Sequence, residues 1–341
     1  MPGFRDIVGH EQTTEHLRAA IAAGRVSHAY LIAGDEGIGK KTVARAFAMT
    51  LLCEKNGLRP EGPADAGELP DACGECSACR QVLSGNHPDL IVVSHEKENS
   101  ISVDEIRQQV VEDVDIRPYR DGYKIYVIPD AEKMTVQAQN ALLKTLEEPP
   151  AYAVLLLLTQ NEEAMLETIR SRCVLLKLRP VRGEQVRGYL MKKLAVPDYQ
   201  ADIFEAFAQG NIGKAVKLAT SESFGRVLEL SENILLHVKE WSTADIMAAV
   251  KKLAEDKSSV QDFLDLAALW YRDVLYFKAT RDPDGIVWRD RLREIRARAS
   301  VSSYEGVQEI QAALNRAAVR LKANVNFELA MELLLLTMKD N

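Results

Sequence analysis

The stretch Gly34-Asp-Glu-Gly37-Ile-Gly39-Lys40-Lys41-Thr42 constrains this chain more than any other. It follows an apolar, β-rich run at Ala29–Ala33 and precedes a helical pattern that starts at Lys40. A glycine-rich turn between a strand and a helix is the setting of a phosphate-binding loop. The glycines let backbone N–H groups wrap an anion, the helix N-terminus adds partial positive charge, and the lysine reaches the outer phosphates. Such a turn sits in a parallel sheet whose strands are joined by helices, and the first half of the chain agrees. Further apolar runs fall at Leu90–Ser94, Lys124–Ile128, Val154–Thr159 and Val174–Leu178, with helical patterns near Lys40–Cys53, Val103–Asp113, Thr135–Glu147 and Ala164–Arg170. Alternation of this kind reads as an α/β domain. The unbroken run Leu155–Leu158 predicts a strand buried on both faces.

The second half changes character. After Pro180 no strand pattern remains, and Val181–Leu194, Tyr199–Gln209 and Lys214–Ala219 read as three short helices. Longer helices follow from about Ser221 and end in Phe327–Met338. The formal charge of −7 sets aside a globally basic nucleic-acid binder while leaving local basic faces open. Arg289, Arg291, Arg293, Arg296 and Arg298 form one such cluster, but the interspersed Asp290 and Glu294 point to a solvated helix face. No apolar run approaches the roughly 18–20 residues of a membrane span. The start, Met1-Pro-Gly-Phe-Arg-Asp, has no apolar signal core. A cytoplasmic protein with no membrane partner is expected.

The phosphate loop departs from the active pattern at one place. The residue after Lys40 is Lys41, and the hydroxyl that would hold Mg²⁺ comes one position late, at Thr42. ATP and Mg²⁺ binding therefore stays open; the alternative is a loop that holds only an anion or nothing. The run Lys124-Ile-Tyr-Val-Ile-Pro-Asp130-Ala131-Glu132 ends in an acid placed to support a metal, or else to cap a helix. The residue that would polarise an attacking water is Ala131, and Glu132 is one step too far. Loss of a positioned general base costs on the order of 10²–10⁴ in rate.

Cysteine usage carries a second chemistry. There are five, and Cys53, Cys73, Cys76 and Cys79 lie close together in sequence. An odd count without a signal peptide argues against a disulfide framework. Four thiolates with Cys-x-x-Cys-x-x-Cys spacing suit tetrahedral Zn²⁺ with no open position, a structural site. An iron–sulfur cluster or a redox motif is the alternative. Cys173 reads as a small buried residue. The stretch Asn56–Ala72, rich in Gly, Pro and acids, reads as a flexible excursion.

Three segments together, Ala141-Leu-Leu-Lys-Thr-Leu-Glu-Glu-Pro149, Ser171-Arg172-Cys173 and Ser27-His-Ala-Tyr-Leu31, resemble bacterial clamp-loader subunits of the AAA+ class, which serve DNA polymerase III in DNA replication. Gly85-Asn-His-Pro-Asp-Leu90 and the degenerate nucleotide site resemble a non-hydrolysing member of that family. The resemblance implies an AAA+ α/β domain with a parallel five-stranded sheet over residues 1–178, carrying the zinc module at 53–79. It further implies a three-helix lid at 179–220 and an all-α collar domain for oligomerisation at 221–341. The implied partners are clamp-loader ATPase subunits of the gamma/tau type and a delta subunit in a hetero-pentamer, with the sliding clamp and primed DNA reached through the complex. Gly34, Gly37, Gly39, Lys40, Lys41, Thr42, Asp130 and Thr159 are the implied, degenerate nucleotide site, with Thr159 as a polar sensor on the fourth strand. Ile7-Val-Gly-His10 matches the segment that flanks the adenine, or is a plain lead-in to the first helix. Arg172 is the implied arginine finger, reaching in trans to a neighbour's ATP; the alternative is a plain pair with a surface carboxylate. In Gly210-Asn-Ile-Gly213-Lys214 a glycine stands where active relatives carry a sensor arginine. With Lys41, Ala131 and Gly213 all off pattern, no ATP hydrolysis by the chain itself is expected. Two other readings are an active clamp-loader ATPase motor and a zinc redox protein.

Overall fold

The computed structural model describes residues 3–58, 69–97, 100–120, 122–256, 259–323 and 325–341. The middle of the Gly- and Pro-rich stretch, residues 59–68, lies outside the described residues. The chain divides into two compact units, Met1–Val186 with Gly210–Lys214, and Arg187–Gln209 with Ala215–Asn341.

In the first unit the strands are β1 (Ala29–Ala33), β2 (Leu90–Val92), β3 (Lys124–Ile128), β4 (Ala153–Thr159) and β5 (Val174–Lys177). They form one parallel sheet in the order β2-β3-β4-β1-β5. The register sets Ala29 opposite Leu155 and Leu31 opposite Leu157, so successive side chains alternate between two buried faces. Tyr30, Ile32, Val127, Leu156 and Leu158 pack one face against α1 (Glu11–Ala22) and α2 (Lys40–Leu52), through Leu17, Ile21, Val43 and Phe47. Leu31, Tyr126, Ile128, Leu155 and Leu157 pack the other against α4 (Val103–Ile106), α5 (Val136–Glu147) and α6 (Glu167–Arg170), through Ile106, Leu142, Leu146 and Ile169. A parallel strand covered on both sides needs apolar side chains at every position, and all seven residues of β4 are buried. The edges are less covered: Val92 of β2 and Leu175 of β5 are exposed. The expected α/β class with a five-stranded parallel sheet followed by helices is the one found.

Local differences have local causes. The expected helix over Val103–Asp113 is α-helical only to Ile106, and Arg107–Val111 winds as a wider π-turn closed by the Glu112 N–H on the Arg107 carbonyl. The wider turn keeps Val110 buried while the Gln109 amide donates to the Ser94 carbonyl and accepts from the Ser94 N–H. Gln109 thereby serves as a strand partner for the segment that leaves β2. A helix α3 (Ser77–Ser84), inside the cysteine-rich region, has no counterpart in the sequence reading.

The remaining helices are α7 (Gly183–Leu194), α8 (Asp198–Ala208), α9 (Ile212–Thr220), α10 (Glu222–His237), α11 (Thr243–Glu255), α12 (Val260–Thr280), α13 (Leu292–Val301), α14 (Tyr304–Lys322) and α15 (Phe327–Asp340). Among its described residues the second unit holds helices and connecting loops and no strand. Its centre holds Trp270 of α12 edge-on to Trp288, with ring centroids 5.5 Å apart. The fully buried Asp273 accepts the backbone N–H groups of Val287 and Trp288 at 2.8 and 2.9 Å.

The arginine cluster is largely consumed within this unit. Arg289 pairs with Asp202 and Arg291 with Glu232, while the buried Arg298 donates to the Tyr271 hydroxyl and the Met338 carbonyl. Arg296 lies over the Phe277 ring.

Candidate functional site

The phosphate-loop sequence forms the turn between β1 and α2, and Gly37 and Gly39 take φ of +79° and +116°, where only glycine is relaxed. Lys40 opens α2 and is 9 % exposed. Its ammonium is turned back onto the loop, donating to the Gly34 carbonyl at 2.5 Å and the Asp35 carbonyl at 2.8 Å. Burial pulls the pKa of this amine below its ordinary value, with Glu132 and Asp130 nearby working against that shift.

Two further carbonyls of the loop are held from the segment Gly210–Lys214. The Asn211 amide donates to the Glu36 carbonyl at 2.7 Å, and the Gly213 N–H donates to the Gly37 carbonyl at 3.0 Å. Asn211 also caps α9 by accepting the Lys214 N–H. A Cβ on Gly213 would lie 2.5 Å from the Gly37 carbonyl oxygen, inside any real contact. Position 213 is thus pressed directly onto the phosphate loop, where a side chain fits only if the loop shifts. On the opposite flank the His10 Nε2 lies 2.9 Å from the Ile38 carbonyl, with His10 itself at φ +59° just before α1. The segment Ile7–His10 therefore touches the loop through a side chain.

The other nucleotide-site residues are engaged elsewhere. Asp130 takes a left-handed conformation (φ +50°) at the end of β3, with its carboxylate 3.7 Å from the Lys133 ammonium. Ala131 is buried, and the Glu132 carboxylate accepts the Gln160 N–H. Thr159 is fully buried, and its hydroxyl exchanges hydrogen bonds with the backbone of Asn161. Lys41 is exposed and Thr42 half-buried on the first turn of α2.

Arg172 stands apart from this loop, just before β5. Its guanidinium pairs with Glu147 at 2.8 Å and donates to the Thr168 carbonyl at 2.9 Å, with the Ser171 hydroxyl at 3.4 Å. The side chain remains 36 % exposed. The segment that leads to it is fixed by the buried Gln139 of α5, whose amide donates to the Met134 and Ala164 carbonyls and accepts the Leu166 N–H. Cys173 is partly buried, and burial pushes its thiol up to about 12.

The four cysteines expected to hold a metal do converge. Cys53 caps the C-terminus of α2, Cys76 caps the N-terminus of α3, Cys79 lies in the first turn of α3, and Cys73 precedes both. Their sulfurs all lie within 4.8 Å of one another, and Cys73 and Cys79 Sγ are 3.9 Å apart. A tetrahedral Zn–S₄ centre with bonds of about 2.3 Å places its sulfurs roughly 3.8 Å apart. Backbone N–H groups of Cys76 and Cys79 donate to the sulfurs of Cys73 and Cys76. Burial raises the Cys53 and Cys79 thiols, whereas at Cys73 the N–H groups of Glu75 and Cys76 outweigh burial and bring the thiol down to about 6. The donor set fits a cation among them. The four thiols could hold a metal ion.

The module is also stitched to the chain start, which the sequence did not show. The Asp71 carboxylate accepts the N–H groups of Phe4 and Arg5, and Arg18 of α1 donates to the Leu69 and Pro70 carbonyls. Cys53 and Cys79 are buried with Met49 and Val82. The described ends of the excursion are therefore packed against the unit. Asn211 and Glu147 were likewise not singled out in the sequence. The first carries the signal of a helix-capping residue, the second that of a carboxylate at a helix C-terminus.

Comparison with known proteins matches this architecture. Residues 9–182 match the family model described as DNA polymerase III, delta subunit, and residues 229–340 match that for the C-terminal part of the delta subunit. The delta-prime subunit of Pseudomonas aeruginosa is 34% identical over 316 residues, covering 91% of this chain and 90% of that protein. The delta-prime subunit of Bacillus subtilis is 29% identical over 329 residues, covering 95% of this chain and 94% of that protein. The tau subunit of the same organism is 27% identical over 312 residues, covering 85% of this chain and 53% of that protein. Matched along both its parts and across nine-tenths of such a relative, the chain belongs to the DNA polymerase III delta-prime subunit family.

Proposed function

We propose that this chain works in the cytoplasm as a non-hydrolysing subunit of a clamp-loader complex. There it assists ATP-dependent loading of the sliding clamp onto primed DNA. The observation that carries this reading is the closed phosphate loop. Lys40 is bonded to its own loop, and Gly213 and Asn211 hold the loop carbonyls where a nucleotide-binding relative needs space and an arginine. Ala131 supplies no base. The loop then works as a fixed joint, and Gly34, Gly37, Gly39, Lys40, Lys41, Thr42, Asp130 and Thr159 keep structural roles.

The contribution to chemistry is Arg172. Half-exposed at the edge of the first unit, it reaches a neighbouring gamma/tau-type subunit and stabilises charge on the transferring phosphoryl group. A guanidinium supplied in this way is worth about 10³–10⁵ in rate. Residues 179–220 serve as the lid and 221–341 as the collar that joins this subunit to the ATPase and delta subunits in a hetero-pentamer. Exposed Leu329 and Leu333, spaced four apart on α15, with exposed Val325 just ahead of the helix, support an assembly face there. Cys53, Cys73, Cys76 and Cys79 hold a structural Zn²⁺, which when bound supplies crosslinking between the ends of α2 and α3 and no chemistry.

Arg172→Ala tests the reading. It should leave assembly intact, checked by gel filtration of the reconstituted complex, yet slow hydrolysis at the dependent site on the order of 10³-fold. An unchanged rate would remove the finger. One observation favours a second reading, a thiol redox role: the low Cys73 thiol stands 3.9 Å from Cys79. Metal content with thiol titration separates the two. Tightly held zinc supports the structural site, and an easily cycled disulfide without zinc supports redox.

A further inference from the structure

We propose that Glu147 is the positioning residue for Arg172, holding the guanidinium in its reactive place until a neighbour's phosphate meets it. The inference rests on the reading of Arg172 as a finger and adds the residue that aims it. Glu147 is the last residue of α5, followed by Glu148, Pro149 and Pro150. A helix C-terminus already carries about half a negative charge, so a carboxylate there is disfavoured unless a cation answers it. Here two carboxylates stand together at such an end, and one is answered by Arg172 at 2.8 Å. The placement runs against the local electrostatic preference, and the pair it makes is half-exposed, a setting in which ion pairs add little to folding. A stability role therefore explains it poorly.

The geometry explains it better. Arg172 follows the four-residue helix α6 and lies in the short turn just before the edge strand β5, where a long side chain samples many rotamers. Thr168 and Ser171, which hold the Nη1 side, belong to the same short segment as the arginine. Glu147 is the anchor from a separate element, and it takes Nη2. Three of the guanidinium's five N–H groups are thus engaged, leaving two to meet an anion. Buried Gln139, from the same helix as Glu147, fixes the segment just ahead of α6, so α5 sets both the path of the chain and the direction of the side chain. Such an anchor reduces the motion to be frozen when the phosphate arrives.

The test is a double-mutant cycle in the complex reconstituted from this full-length chain and its ATPase partners, reading the part of the hydrolysis that Arg172→Ala abolishes. Glu147→Ala should lower kcat of that part about 10-fold, short of the roughly 10²-fold that a 1 Å misplacement can cost, with KM for ATP unchanged. Glu147→Gln, which keeps an acceptor oxygen, should recover most of the loss. The double variant should be no slower than Arg172→Ala alone, because the glutamate acts only through the arginine. If Arg172→Ala itself changes nothing, the finger reading falls and the positioning role with it. If Arg172→Ala slows hydrolysis while Glu147→Ala does not, or its loss adds to that of Arg172→Ala, the finger stands and the role given to Glu147 is overturned. Glu147→Gln also guards against a folding artefact, since a loss in both variants with matched melting curves counts against the acceptor role.

Discussion

At the residue scale, Gly213 shows how tightly the phosphate loop is packed. Its Cβ would stand 2.5 Å from a backbone oxygen that is itself hydrogen-bonded, so neither partner has an easy way to yield. Gly213→Ala should cost about 1–3 kcal/mol, the usual toll of overpacking, read as a lowered urea midpoint at unchanged slope. An alanine tolerated without loss would mean that the loop moves freely and is not locked. Asp273 gives a second case. It satisfies two buried N–H groups, so Asp273→Ala should cost about 2–4 kcal/mol by leaving both without an acceptor. Burial raises its pKa above the ordinary value of 3.8. A carboxyl whose folded pKa is raised binds its proton more tightly in the native state. The group therefore adds stability as pH falls through the folded pKa towards the unfolded one. Acidification over that window should widen the stability advantage of the wild type over Asp273→Asn, and a constant difference would contradict the assignment.

At the scale of elements, the cysteine module and α15 make separable predictions. The module joins the ends of α2 and α3 and, through Asp71, the chain start. Cys79→Ser removes a buried sulfur from the set, so metal content should fall to below one ion per chain. Amide exchange at Phe4 and Arg5 should quicken, because the segment that accepts their N–H groups loses its anchor. Protection unchanged after metal loss would show that Asp71 is held independently. On α15, Leu329→Glu with Leu333→Glu should leave the melting temperature of the isolated chain nearly unchanged, since both are exposed, but weaken its incorporation into the complex. Undiminished incorporation would move the assembly face elsewhere.

At the scale of the whole molecule, what the sequence showed and what it hid divide along the range of the forces. Short unbroken apolar runs and a glycine turn at a strand end are local, and β1, β3 and β4 were legible within a residue of their ends. The cysteine spacing was equally local. The π-turn at Arg107–Val111 was not, because it answers to Gln109 meeting a strand exit 15 residues away. The lock on the phosphate loop was half legible. Nothing local indicated how 175 residues of separation bring Asn211 onto Glu36, though the glycine at 213 was plain. Arg172 was found through its motif, while its partner Glu147 stood inside a second motif, Ala141–Pro149, with no sign that the two side chains meet. The arginine cluster at 289–298 could not be judged without its acidic partners Asp202 and Glu232, which lie in other helices. Among the described residues no helix is long and apolar enough to cross a membrane, in line with the apolar patterning.

The central claim is that a phosphate-binding loop has become a structural joint and that this chain serves hydrolysis only at a neighbour's site. Steady-state ATP turnover by the purified chain alone tests it most directly, measured beside Lys40→Ala. The account predicts no turnover above the blank for either protein. Clear turnover by the wild type that disappears in Lys40→Ala would contradict it.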